Sequence, residues 1–306
     1  MLTMELTTWD GRSYRLPVLL SWCLTYTGGV PCDSMTASCP YDKSMAEMLP
    51  DAPRFTAFQD GEIMLRGVID AYEISLSGQG LLVNLEGRGM AALLMDNESE
   101  ALTYGTATLA DILSNHVEPY GIHVEETTPL AGDGYSVTSG SSQWKALRGF
   151  THRYGGFEPY FTRDGCLVVR SLWGSGKTLT VDSSSPLLSL RHREDRYGVI
   201  SEMLIQDKAQ DISHRVINEE FAAKGGCRRH VLYMPRSTAD ERRYTGEYQI
   251  AQSALDQLPI PFAAFPGDRV HLTLDLLGPG NTYDVTEVRC KMDEAGERTE
   301  IVLSRR

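Results

Sequence analysis

The sequence predicts a mainly β protein with an α+β segment in its middle, and three observations carry that reading. Alternating apolar and polar residues dominate both ends of the 306-residue chain. Helical spacing with cap residues gathers between residues 96 and 188. Turn signals rich in Gly, Asp and Ser separate the alternating runs.

In chain order, Met4–Thr8 and Val18–Thr25 read as strands. The run Ile63–Leu76 places Ile63, Leu65, Ile69 and Ile74 among small or polar neighbours, and Leu81–Gly87 answers it across the turn Ser77–Gly80. Two alternating runs joined by a Gly-rich tetrapeptide make a long β-hairpin, and these strands together suit a small barrel or sandwich. Next, Leu109, Ile112, Leu113 and Val117 fall at helical spacing, with Thr108 and Asp111 at cap positions and Pro119 and Gly121 just beyond. A strand over Ile122–Glu125 follows. A second helix, after Ser139–Ser142, has Trp144, Leu147, Phe150 and Tyr154 as its apolar face and stops at Gly155–Gly156. Arg163-Asp164-Gly165 then turns Phe157–Phe161 back onto Cys166–Arg170.

Strands resume after Ser183–Pro186, with Val199–Asp207 and Ser213–Glu220 as a pair and Cys227–Met234 as a third. Thr238–Leu258 reads as a helix ended by Pro259 and Pro261. The chain finishes on Arg269–Leu274, Tyr283–Cys290 and Thr299–Ser304, the last two joined at Asp293–Gly296. The expected domains are 1–95 (β), 96–188 (α+β) and 189–306 (β with one helix), a length suited to two or three cores.

Bulk composition narrows the function. Lys and Arg number 29 against 41 Asp and Glu, a net charge of −12, the opposite of a protein that grips phosphates. Hydrophobic residues at 42% and charged residues at 23% suit a globular chain. Nothing approaches the ~20 apolar residues of a membrane-spanning helix. Leu16–Leu24 is short and lacks a basic leader, so the expectation is a soluble protein kept in the cytoplasm. Six cysteines (23, 32, 39, 166, 227 and 290) form no C-x-x-C pair and read as small buried thiols, with a Cys32–Cys39 clip or a zinc site as the alternative.

Motifs for chemistry are few. Gly174-Ser-Gly-Lys-Thr178 looks like half of a phosphate-binding loop, but Ser171 stands where the first glycine belongs and the β-branched run that follows predicts a strand. Seven histidines show no metal-ligand spacing, and His116 falls on the apolar side of its helix, a core or boundary position. There is no G-x-S-x-G elbow. The pairs Glu98/Glu100 and Glu125/Glu126 are expected to be solvated, and Arg191–Arg196 and Arg228-Arg229 to form ion pairs at a surface or interface.

Two patterns resemble the tail hub family of phages and phage-derived particles. One runs through Gly67–Glu73, Val83–Gly89 and Ala92–Asp96. The other comprises Phe265–Leu272, Tyr283–Val288 and the final hairpin. The helix before Tyr120–Val124 and Trp144 at the start of the next helix match the family's middle region. The residues that carry the resemblance are Gly67, Asp70, Gly87, Arg88, Asp96, Trp144, Gly267, Asp268 and Val285.

The resemblance implies two tail-tube-like β-barrel domains, 1–95 and 189–306, flanking a small α+β domain, 96–188. It implies a non-enzymatic baseplate hub: a homotrimeric ring that adapts a six-fold tail tube to a three-fold spike. Implied partners are the tail tube protein, the spike protein, other baseplate proteins and the tape measure protein. DNA would pass through the lumen without specific binding; no membrane, cofactor, metal or catalytic residue is implied. The expected location is the virion tail baseplate, assembled in the host cytoplasm, and the end of the chain at Arg306 suggests a hub without a further C-terminal region. Two alternatives stay open: a tail-associated cell-wall hydrolase, and a carbohydrate-binding module using Tyr154, Tyr160, Phe161 and Trp173.

Overall fold

The computed structural model describes residues 1–31, 33–78, 80–174, 176–185, 187–194, 201–207, 212–227, 229–233, 252–259, 264–274 and 280–304. The chain is mainly β, as the alternation requires. It opens with β1 (Leu2–Thr7), β2 (Ser13–Arg15), β3 (Ser21–Thr27), β4 (Ser34–Pro40), α1 (Met45–Met48), β5 (Arg54–Gln59), β6 (Glu62–Ser77) and β7 (Gly80–Gly89). Strict two-residue burial alternation in β1 and β3 puts one face of each strand in the core. The expected long hairpin is β6–β7, closed by the pair Ser77 and Gly80.

After α2 (Ala92–Met95), the middle contains β8 (Glu98–Ser99), β9 (Leu102–Thr108), α3 (Leu109–His116), β10 (Val124–Thr127), β11 (Ala131–Val137), β12 (Ser141–Ser142), α4 (Gln143–Gly155), β13 (Tyr160–Phe161) and β14 (Leu167–Val169). Thr108 and Asp111 form a reciprocal capping box on α3. Ser142 caps α4, and Gly156 ends it in the left-handed conformation at φ 72°. The Arg163–Gly165 turn joins β13 to β14, which are shorter than expected because Phe157–Pro159 lies outside the ladder. This part packs around Leu94, Ile112, Leu147, Phe150 and Leu167.

The remainder comprises β15 (Thr178–Asp182), β16 (Ser189–Glu194), β17 (Glu202–Asp207), β18 (Ile212–Ile217), α5 (Glu219–Ala223), β19 (Arg229–Tyr233), β20 (Gln252–Pro259), β21 (Arg269–Thr273), β22 (Asn281–Asp293) and β23 (Gly296–Ser304). The run after Lys177 is a strand and not the helix a phosphate-binding loop needs. One expectation is corrected: Gln252–Pro259 is not the end of a helix over Thr238–Leu258 but the strand β20. It pairs with β16 on one side and β23 on the other, and two-sided pairing outweighs the helix propensity of Ala254 and Leu255. The rest of that helix lies outside the described residues.

Strands from both ends of the chain join one 13-stranded sheet, which runs as an open path among the described residues. Leu24, Phe55 and Leu85 share a core with Val270, Val288 and Leu303. Within this sheet two stretches follow one plan. The orders β5-β6-β7-β4-β3 and β21-β22-β23-β20-β16 correspond strand for strand, antiparallel throughout. The agreement extends to irregularities. Arg54 faces Val68 as Arg269 faces Asp284. Each long strand then carries one extra residue against its partner, Asp70 in β6 and Thr286 in β22. Ile69 N donates to Pro53 O at 2.9 Å, and Val285 N to Asp268 O at 2.8 Å. No helix among the described residues is long and apolar enough to cross a membrane.

Candidate interaction site on the long hairpin

The base of the β6–β7 hairpin is built from five of the residues that carry the resemblance. A Cβ on Gly67 would lie 2.0 Å from the Arg88 carbonyl oxygen, and one on Gly87 would lie 2.5 Å from that of Val68. The ring of the fully buried Phe55 fills the space both glycines leave, 2.9 Å from where either Cβ would stand. Just beyond, the extra residue Asp70 bends β6. Arg88 fixes that bend with both arms of its guanidinium. Its Nε and Nη2 donate to Asp70 at 2.7 and 2.8 Å, and its Nη1 and Nη2 to Asp96, at the end of α2, at 3.0 and 2.6 Å. These bonds hold the Asp96 carboxyl below its ordinary pKa.

Past this clamp the hairpin overhangs. β5 ends opposite Val68, so the outer edge of β6 from Asp70 to Ser77 pairs with nothing among the described residues. Tyr72, Ile74 and Leu76 lie on the core side, opposite Leu85, Val83 and Leu81. Leu85 and Val83 are buried, yet Leu76 is 81% exposed and Tyr72 and Ile74 are exposed beside it. Ala71, Glu73 and Ser75 form the other, polar side. An inner, apolar sheet face therefore continues outward beyond what the described residues cover. A groove of about 420 Å³ adjoins this edge, lined by Trp9, Leu49, Pro50, Ile69 and Tyr72.

Gly267, Asp268 and Val285 meet at the matching corner of the second half. Gly267 turns at φ +95°, and Gly267 N donates to Val285 O at 3.0 Å. The buried Asp268 carboxylate accepts from Lys177 N at 3.0 Å and Phe265 N at 2.9 Å, tying β15 and β21 together. Between the halves, the Arg163 guanidinium lies over the rings of Tyr26 and Phe265, at 5.4 and 5.1 Å, and donates to Ala264 O at 3.0 Å. In the sequence Arg163 reads only as a turn residue; its aromatic partners are far away along the chain and nothing local marks them. Trp144 stands apart from both clusters, buried in the middle part 6.1 Å from the Phe161 ring.

Of the thiols expected to be buried, only Cys39 is so among the described residues; Cys23, Cys166 and Cys290 are half-buried and Cys227 is exposed. His116 is buried, with Nδ1 2.6 Å from Gln143 Oε1 and Nε2 3.1 Å from Tyr104 Oη. Cys39 is buried, and burial pushes its thiol up to about 11; Cys32 lies outside the described residues. Among the described residues no three His, Cys, Asp or Glu converge as metal ligands. Of the aromatics considered for sugar binding, Phe161 is buried, Tyr154 packs 4.9 Å from Phe150 and Tyr160 sits beside Arg170. Arg229 pairs with Glu202, the ion pairing expected of it, whereas Glu126, expected to be solvated, is half-exposed and pairs with Arg170.

No protein-family model matches the chain, and no curated protein matches it. Solved structures do. A tail protein from Neisseria meningitidis MC58 superposes with a TM-score of 0.77 at 17% identity, covering 99% of this chain and 96% of that one. The prophage MuSo2 43 kDa tail protein from Shewanella oneidensis gives 0.74 at 17%, covering 98% and 97%. The chain has the phage tail-protein fold. The prophage tail protein gp18 from Listeria monocytogenes EGD-e shares that fold with a TM-score of 0.67 at 14% identity, over 100% and 95%. So does the E. coli c3393 protein, a component of the type VI secretion system, at 0.57 and 13%, over 99% and 76%. At such identities the tail-protein fold is kept by backbone plan and core volume rather than by shared side chains.

Proposed function

We propose that the chain is a structural hub subunit of the baseplate of a phage or phage-like contractile tail, acting without catalysis. Three copies would form a ring that adapts a six-fold tail tube to a three-fold spike, in contact with other baseplate proteins and the tape measure protein, within the virion. The internal repeat carries this reading. A chain with two matching five-strand units, which we read as the two tube-like β domains within 1–95 and 189–306, offers six similar faces per trimer to the tube and three to the spike. The middle part, 96–188, is an outward α+β domain on this reading. The shared fold with tail proteins supports it, and a net charge of −12 suits a lumen through which DNA slides without sticking.

Light scattering on the purified chain, alone and with the neighbouring spike protein, tests it. A mass near three times 34.0 kDa in either condition is expected. A monomer in both would sink the hub assignment.

A further inference from the structure

Inside the chain, the two halves meet at one joint. The outer edge of β22 past its extra residue is covered by β3, antiparallel, with Arg289 opposite Thr25, Lys291 opposite Cys23 and Met292 opposite Trp22. The matching edge of β6, past Asp70, has no partner among the described residues. The counterpart of β3 in the second half is β16, and its outer edge is also without a partner among the described residues. The described residues thus hold one filled joint and both unfilled sides of a second joint of the same kind.

We infer that a second copy of this chain fills it: β16 of one copy adds antiparallel to the overhanging edge of β6 in the next. This deepens the hub reading and rests on it. The register follows from the internal joint. Ala71 faces Glu86 as Glu287 faces Val302, so Ser75 and Lys291 are equivalent. Thr36 faces both Glu86 and Cys23, and Leu255 faces both Val302 and Arg191, so Cys23 and Arg191 are equivalent. The pair Lys291–Cys23 therefore becomes Ser75–Arg191 between copies. One residue further along each strand, Leu76 comes opposite Leu190; in the other direction, Ile74 faces His192 and Glu73 faces Arg193.

The chemistry of that register is complementary. Leu76, which the single chain leaves 81% exposed, meets Leu190, which packs at the rim of the core. The acidic Glu73 faces the basic Arg193, an opposite-charge cross-strand pair. The apolar inner face of β6 then continues under a neighbour's strand, and both open edges vanish. The contact joins different surfaces of the two copies, so it propagates head to tail and closes when the rotation per copy allows.

Two sets of variants of the full chain test the joint. Facing Cα atoms in an antiparallel ladder lie about 4.5–5.5 Å apart, within disulfide range. A chain carrying Leu76→Cys and Leu190→Cys is expected to give, on oxidation, covalent species up to the closed ring, while the parent stays at chain mass on a denaturing gel. Glu73→Arg or Arg193→Glu alone should weaken association roughly fivefold per joint, and the two together should restore it; circular dichroism confirms folding of each. A parent multimer that neither cross-links nor responds to the charge reversals overturns this joint and leaves the hub reading standing. Single reversals that weaken association without rescue in the double variant overturn the register. A parent that stays monomeric, with or without spike protein, overturns both readings.

Discussion

The two halves of the sheet reach one backbone plan with opposite distributions of bulk. In the first, Phe55 faces Gly67, and Gly87 faces Ile69. In the second, the same places are taken by Val270 facing Tyr283, and Leu303 facing Val285. One large ring over two glycines replaces one small side chain under two large ones, and all six positions are buried. The register is kept while every side chain and the bulk at these places change. The lesson is that sheet register, not side-chain identity or bulk, defines the repeat, each half packing the same backbone positions in its own way. The halves differ in a second way: β22 has its far edge covered by β3, whereas that of β6 is uncovered among the described residues.

The harshest way to break this comparison is to move one residue across it. Gly87→Leu copies Leu303 into the first half, where a Cβ already sits 2.5 Å from a backbone oxygen and 2.9 Å from Phe55. The cost is expected to be about 4 kcal/mol or more, seen as a large fall in melting temperature or loss of the folded chain. Adding Phe55→Val removes only the contact with the ring and should recover a small part of that loss, because the clash with the Val68 carbonyl oxygen stays. A single variant that melts like the parent would refute the claim that only glycine fits beneath the Phe55 ring.

Asp33 sharpens the comparison at the next level. It precedes β4 at the place Gln252 occupies before Ser253 in β20, so the second half sets a neutral amide where the first sets an acid. Burial pushes the Asp33 carboxyl up to about 7, although Thr27 N donates to it at 2.9 Å. A raised carboxylate pKa in the folded state means that the unfolded chain loses its proton first. Stability should therefore decline as pH rises from about 4 to about 7 and level off above that. Asp33→Asn keeps the acceptor for Thr27 N and removes this slope. It is expected to match the parent near pH 4 and to exceed it by roughly 2–4 kcal/mol at pH 8. Parallel melting curves for the two proteins across that range would refute the claim.

Much of this is legible in the sequence wherever the physics is local. Alternation exposes the long hairpin, and the capping box from Thr108 to Asp111 announces α3. The residues Gly67, Asp70, Gly87, Arg88 and Asp96 stand out as a motif, but not as one clamp, because Phe55 and the extra residue at Asp70 become visible only once strands are in register. β20 reads as helix because Gln252–Pro259 has helix-forming residues and owes its extended form to neighbours on both sides. The overhang is hidden for a similar reason: Tyr72, Ile74 and Leu76 alternate like core residues, and only the short reach of β5 leaves them exposed.

The mildest effect concerns Arg88, whose counterpart in the second half is Ser304, opposite Ser253 as Arg88 is opposite Ser34. The clamp thus belongs only to the half whose edge is open, which suggests that its task is to aim the overhang rather than to hold the fold. Its side chain is 40% exposed, so water and salt screen both ion pairs, and Arg88→Ala should cost only about 1 kcal/mol. The Asp96 carboxyl is held below its ordinary value by Arg88, so this contribution is complete above the unfolded pKa and fades as pH falls through the folded one. The melting temperatures of the parent and the variant should accordingly begin to converge as pH falls below about 4. Amide hydrogen exchange supplies the finer readout: protection in residues 71–76 should drop in Arg88→Ala while β22 and β23 keep theirs. Equal loosening of both hairpins would mean that Arg88 stabilises the sheet as a whole and does not set the direction of the arm.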